Sequence, residues 1–184
     1  LVAMLLTGIR SARNAIQSAA CMSNLKQLGQ VVRMYVQDDR LGRFPGWLGS
    51  FQDFKMIMPL LYPYLSDQSV ITGYDKRLEI FRCPSNTNQQ WAASRIDAYG
   101  NKTDYEFNGE IMGTVAIELV AIPEWVSLFY DWPVSPVAPV KNIHRGGSNI
   151  VFYDGHVKWF SRSQMMEPHA PIPSTREYYN WGLY

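Results

Sequence analysis

The feature that most constrains this chain is its proline-free opening. The first 44 residues contain no proline, and the remaining 140 contain all 11. Proline removes a backbone donor and clashes with the preceding turn of a helix, so the opening can form one long uninterrupted helix. Apolar residues recur there at helical spacing: Ile9, Ala12, Ile16, Ala19, then Leu25, Leu28, Val32, Tyr35. Gly8 and Gly29 interrupt the pattern at about 1 kcal/mol each. Asp38-Asp39-Arg40-Leu41-Gly42 followed by Pro45 supplies the stop. A helix reaching Gln37 runs to about 55 Å at about 1.5 Å per residue. That exceeds the width expected of the remainder, so its first turns are expected to project.

The opening is also layered. Leu1 to Leu6 is apolar on all sides, yet far short of the roughly 20 residues of a membrane span. Arg10, Ser11, Arg13, Asn14, Gln17 and Ser18 make the next turns polar, and residues 21–37 are amphipathic. The order reads as membrane or helix-bundle core, then interface, then a face packed on a globular domain. One long amphipathic core helix is the alternative. The projecting reading divides the chain into a projecting segment 1–20, a globular domain 21–167, and a proline- and aromatic-containing tail 168–184 that carries Tyr178, Tyr179, Trp181 and Tyr184.

Beyond Pro45 the segments are shorter. Residues 51–65 read as a helix broken by Pro59 and Pro63, and residues 79–82 as a short strand ending at Cys83-Pro84. Tyr105-Glu106-Phe107 and Val126 to Asp131 read as strands. Asn149 to Tyr153 and His156 to Phe160 flank Asp154-Gly155, the pattern of a hairpin with a type I′ turn in which Asp154 and Gly155 are structural. With 47% hydrophobic and 18% charged residues the chain is not a disordered one. A net charge of +1 excludes nucleic-acid binding through bulk charge.

The chemistry-bearing residues are few. Cys21 and Cys83 leave two readings open, a bridge or two buried thiols, and neither lies in a CxxC motif. Asp131, His144, Asp154 and His156 are residue types that can ligate a metal, but Asp154 already has a sufficient role in the turn. Turn chemistry plus a His–carboxylate hydrogen bond is therefore the preferred reading, with no metal site. No phosphate-binding glycine loop, G-x-S-x-G or H-E-x-x-H is present.

Taken together the motifs resemble a family. Ala19-Ala20-Cys21-Met22-Ser23-Asn24-Leu25-Lys26-Gln27-Leu28-Gly29, Met34-Tyr35, Asp38-Asp39 and Gly42-Arg43-Phe44-Pro45 are similar to the helix-to-domain junction of type II secretion pseudopilin-like, type IV pilin-like proteins. The planctomycete- and Lentisphaerae-type branch fits best. Phe81-Arg82-Cys83-Pro84-Ser85 matches its CPS segment, and Leu128-Phe129-Tyr130-Asp131 its strand ending in Asp. His144, nine residues, then Asp154-Gly155 matches its H-x9-D-G signature, extended here by His156. The family's cleavage glycine and the Phe and Glu after it would lie upstream of Leu1.

The resemblance implies an α+β, pilin-like fold: a long N-terminal helix packed on a small antiparallel sheet with long loops. It implies pairing of Cys21 with Cys83, and export from a membrane-anchored precursor to the periplasm or cell surface. The expected function is a structural, non-enzymatic subunit of a pilus- or pseudopilus-like filament. Assembly would run through Leu1, Met4, Leu5, Leu6 and Ile9, with Arg10 and Arg13 meeting carboxylates or headgroups, and with Tyr178, Tyr179 and Trp181 as a second contact. Partners would be further copies and the inner-membrane assembly machinery, with no nucleic acid, no small-molecule substrate and no cofactor, a structural calcium being left open. Two other functions compete. One is a surface module that binds carbohydrate or protein through exposed aromatics. The other is a metal-dependent hydrolase, which would require Asp131, His144, Asp154 and His156 to converge.

Overall fold

With no proline before Pro45, helix α1 runs unbroken over Val2–Asp38. The computed structural model describes residues 2–46, 54–65, 76–86, 103–108, 111, 123–131, 144 and 147–165. The helix stops where the side chain of Asp39 takes over the backbone donors. Its Oδ2 accepts from the amides of Leu41 (3.0 Å) and Arg43 (2.9 Å), and Gly42 turns the chain at φ 61°. The Arg43 guanidinium also donates to this carboxylate and holds its pKa below the ordinary value.

Helix α2, Phe54–Leu61, contains Pro59 and runs into a 3-10 turn, Tyr62–Tyr64, that contains Pro63. The strand expected over residues 79–82 is a 3-10 helix instead, Lys76–Phe81. Residues three apart align in a 3-10 helix, so Leu78 and Phe81 are buried together in the core shared with α1. The apolar pair carries the burial signal, and its spacing of three fits a 3-10 helix rather than the period of two of a strand.

Four strands form one antiparallel sheet in the order β1 (Tyr105–Phe107), β2 (Ser127–Asp131), β3 (Gly147–Phe152), β4 (Val157–Ser161). The register pairs Tyr105 with Asp131, Phe107 with Phe129, Phe129 with Val151 and Asn149 with Trp159. Side chains alternate across a strand, so Tyr105, Phe107, Phe129, Asp131, Asn149 and Val151 share one face. That face meets α1, because Tyr105, Phe107, Phe129 and Val151 lie in one core with Cys21, Leu25, Leu28 and Val32. Tyr130, Ile150 and Phe152 form a second cluster with Phe160 on the other face.

The β3–β4 turn differs from the expected two-residue type. Gly155 N donates to Phe152 O (2.9 Å) and Phe152 N to His156 O (3.0 Å), which leaves a three-residue loop, Tyr153-Asp154-Gly155. Gly155 has φ 93°. It occupies the third loop position, where such hairpins place a left-handed residue after the turn. Asp154 and Gly155 keep their turn roles one step out of the anticipated register.

Helix α1 has two faces of opposite direction. Cys21, Leu25, Leu28, Val32 and Val36 lie on one side and are buried. At about 100° per residue, Leu5, Ile9, Ala12, Ile16 and Ala19 form a stripe rotated by about 180° from that side. Every residue from Met4 to Ile16 is exposed, and from Met4 onward Cys21 is the first buried one.

Gly29 sets the closest approach of α1 to the sheet. It is buried, and a Cβ there would lie 2.8 Å from Val151 Cγ2. Val151 is itself fully buried, with no soft side-chain end to move aside. Gly29→Ala gains about 1 kcal/mol of helix propensity but forces an overpacking cost of about 1–3 kcal/mol. The expected outcome is a lower midpoint in thermal unfolding. A raised midpoint would contradict this packing.

Candidate functional site

The buried end of the α1–sheet interface gathers most of the chemistry. Cys21, from α1, forms a disulfide with Cys83, with Cα atoms 5.2 Å apart. The turn that presents Cys83 is built by Asp104. Its Oδ2 accepts from Cys83 N (3.0 Å) and Arg82 Nε (2.8 Å), and its Oδ1 from Asn86 Nδ2 (2.8 Å). Asn86 N closes the turn onto Cys83 O at 2.9 Å. From the helix, Asn24 donates to Arg82 O (3.0 Å) and Gln17 to Pro84 O (3.1 Å).

Two further residues complete the cluster. Asp131 ends β2 on the helix-facing side, and its Oδ2 lies 3.0 Å from His144 Nε2, both side chains being almost wholly buried. The same oxygen accepts from Asn149 N (3.0 Å) and Asn149 Nδ2 (2.7 Å). A carboxylate oxygen only accepts, so His144 Nε2 carries the proton in this contact. That nitrogen is also 3.2 Å from Cys83 Sγ. Trp159 Nε1 donates to His144 O (3.1 Å) and fixes the backbone behind the ring. Asp131 Oδ1 and Asn149 Oδ1 are buried with no hydrogen-bond partner among the described residues.

This arrangement is not a nucleophilic triad. A general base divides its work between two ring nitrogens, one toward the nucleophile and one toward the carboxylate. Here Nε2 faces both Cys83 Sγ and Asp131 Oδ2, and the sulfur is already bonded to Cys21. The four His/Asp residues weighed as a hydrolase set do not converge. Asp131 and His144 meet at one end of β3, and Asp154 and His156 meet beyond the other, about 20 Å apart at the rise of a strand. In the second pair His156 Nδ1 is 2.7 Å from Asp154 Oδ1, and the His156 ring stacks on Phe152 at 4.3 Å. Arg33 of α1 donates to Asp154 O at 3.2 Å. The H-x9-D-G spacing thus marks the two ends of one strand.

Of the residues expected to carry assembly, Met4, Leu5, Leu6 and Ile9 are 78%, 67%, 50% and 57% exposed. Arg10 and Arg13 are exposed as well. Leu1 has no described placement, and Tyr178, Tyr179 and Trp181, with the whole 168–184 tail, lie outside the described residues. Among the described residues no helix is long and apolar enough to cross a membrane. Asp104, Tyr105 and Asn149 are the site residues that sequence reasoning missed. Only Asn149 carries a signal, a polar residue two before Val151 on an otherwise apolar strand face. No protein family, curated protein or solved structure matches the chain.

Tyr105 provides a titration handle on this cluster. Its hydroxyl donates to Arg82 O (3.3 Å) and Cys21 O (3.5 Å). Burial pushes its ionisation far above the ordinary 10.0, and the charge of Asp131 adds to this. The unfolded phenol releases its proton above about pH 10 while the folded one keeps it. The contribution to stability is therefore intact below about pH 10 and lost as pH rises further, at about 1.4 kcal/mol per pH unit for one proton. Denaturant titrations above about pH 10 should show Tyr105→Phe with a slope shallower by one proton. Parallel slopes would contradict the buried phenol.

Proposed function

We propose that the chain is a structural subunit of a pilus- or pseudopilus-like filament, assembled through the N-terminal half of α1. The observation that carries this reading is the reversal of the helix's apolar side. The stripe Leu5, Ile9, Ala12, Ile16, Ala19 points away from the face that α1 lays on its own sheet. Among the described residues nothing of the domain covers that stripe, and the inner half of the helix cannot turn it inward without leaving the core, so it is open to a cover from outside.

The energetics favour other copies as that cover. Met4, Leu5, Leu6, Ile9 and Ile16 are all at least half exposed, and burying a large apolar side chain contributes about 1.5–3 kcal/mol. Several kcal/mol per subunit then stand against the association cost. Ala12 and Ala19 in the stripe allow close helix approach. A stripe at one end of the subunit and a domain at the other favour head-to-tail contacts, which do not close and so extend into a filament. Between Val2 and Gln37 the helix carries no acidic residue, so Arg10 and Arg13, both exposed, have no carboxylate along that stretch of helix and can meet carboxylates of neighbouring copies or headgroups. In this reading the disulfide belongs to an exported protein, and the fold is the pilin-like one.

Leu5→Glu combined with Ile9→Glu should abolish assembly while far-ultraviolet circular dichroism and the disulfide stay intact. Asn14→Glu, on the opposite side of the same turns, should leave assembly unchanged. Sedimentation and electron microscopy read both. Filaments from the double variant, or equal loss from Asn14→Glu, would refute the stripe as the assembly surface.

A further inference from the structure

The cluster around the disulfide has the composition and spacing of a second kind of centre. Cys21 Sγ, Cys83 Sγ and His144 Nε2 lie within 4.8 Å of one another and all three residues are buried. The Asp131 carboxylate sits 3.0 Å from that nitrogen, with its Oδ1 buried and unpartnered among the described residues. We propose that reduction of the Cys21–Cys83 bond converts this cluster into a closed tetrahedral site for a zinc-class divalent cation, with Cys21, Cys83, His144 and Asp131 as its four ligands.

Two edges of such a site, both at His144, are already close to their required lengths. With metal–sulfur bonds of about 2.3 Å and metal–nitrogen and metal–oxygen bonds of about 2.0 Å, the sulfur–nitrogen edge of a tetrahedron is about 3.5 Å and the nitrogen–oxygen edge about 3.3 Å. The corresponding distances here are 3.2 Å and 3.0 Å. Two changes complete the site: the two sulfurs part, which breaking their bond permits, and the Asp131 carboxylate, which lies outside the group of atoms within 4.8 Å formed by Cys21, Cys83 and His144, closes on the sulfurs. The ligands come from α1, the Cys83 turn, the end of β2 and the residue ahead of β3, so they are positioned by four separate packed segments. Outer contacts are also in place: Asn149 holds the Asp131 carboxylate through two hydrogen bonds, and Trp159 holds the His144 backbone. Such partners orient ligands and tune affinity. A buried set with no open side is the structural rather than the catalytic kind.

The chemistry balances with a phosphine as reductant. One phosphine and one water convert the disulfide to two thiols and yield the phosphine oxide. Each thiol then releases its proton to solvent as it binds the cation. The imidazole proton leaves Nε2 and Nδ1 takes one up, so His144 binds as a neutral ligand. The carboxylate loses its bond from His144 and gains the cation. Oxidation and metal binding are thus mutually exclusive states of one pair of sulfurs.

The test uses the full chain, phosphine-reduced without oxygen, with Co²⁺ as the spectroscopic probe. The expected result is one Co²⁺ per chain, with intense visible bands of tetrahedral cobalt and near-ultraviolet thiolate-to-cobalt charge transfer. Oxidised protein should show neither. His144→Ala should weaken binding at least about tenfold. Should that variant not fold, X-ray absorption of the Zn²⁺-loaded wild type should give two sulfur and two nitrogen or oxygen neighbours. A reduced chain that unfolds and refolds on adding Co²⁺ would support the site, and one that stays unfolded would refute it. Equal binding by oxidised protein, octahedral cobalt, or a shell without two sulfurs would also overturn it.

Discussion

The bond between Cys21 and Cys83 sits where α1 leaves the body of the protein. From Met4 onward Cys21 is the first buried residue of the helix, and Met4 to Ile16 before it are all exposed. Inward of that point the helix is held by the sheet, with Gly29 brought against Val151 and Leu128. Outward of it the apolar residues change sides. The crosslink closes a loop of 62 residues, which in the chain-entropy account contributes about 4 kcal/mol. Its position matters as much as its magnitude. Any lateral load on the projecting helix reaches the domain first at this tether, supported by Asn24 and Gln17 reaching to the Cys83 turn.

The surroundings of the tether explain why a small α+β domain buries so many polar groups in one place. Asp104 saturates its carboxylate on Arg82, Cys83 and Asn86. Asp131 gathers three donors on a single oxygen from His144 and Asn149. Breaking such a buried pair by removing one partner typically costs 3–5 kcal/mol, so the network favours one register of β2 against β3. A slip of β2 by one residue would turn Asp131 to the opposite face, away from Asn149, His144 and the disulfide. The polar cluster therefore specifies the sheet as well as occupying it.

Much of this was legible in the sequence, for identifiable reasons. The long helix, β2, and the β3–β4 hairpin rest on patterns that burial enforces locally: the proline-free run, the apolar strand ending at Asp131, and Asp154-Gly155 between two strand-like segments. Residues 79–82 were misread as a strand because the two apolar residues there, Ile80 and Phe81, fix burial without fixing period. The turn register was misread because Asp-Gly fits both two- and three-residue loops, and only the Phe152–His156 hydrogen bond decides between them. The pairing of Asp131 with His144 was not legible at all. It depends on Tyr105, Asp131 and Asn149 sharing a face across three strands, and that follows from register rather than from spacing along the chain.

The central proposal is that α1 consists of an inner half sustained by its own domain and an outer half that other copies would sustain. An isolated helix of the outer half's length is marginal in water, so its protection must come from what covers it. Amide hydrogen exchange along α1, measured across a range of protein concentrations, tests this directly. The account predicts strong, concentration-independent protection at residues 25–36 and rapid exchange at residues 4–16 in the dilute protein, with protection of 4–16 rising as concentration increases. Protection of residues 4–16 that does not change with concentration, whether high or low, would contradict it.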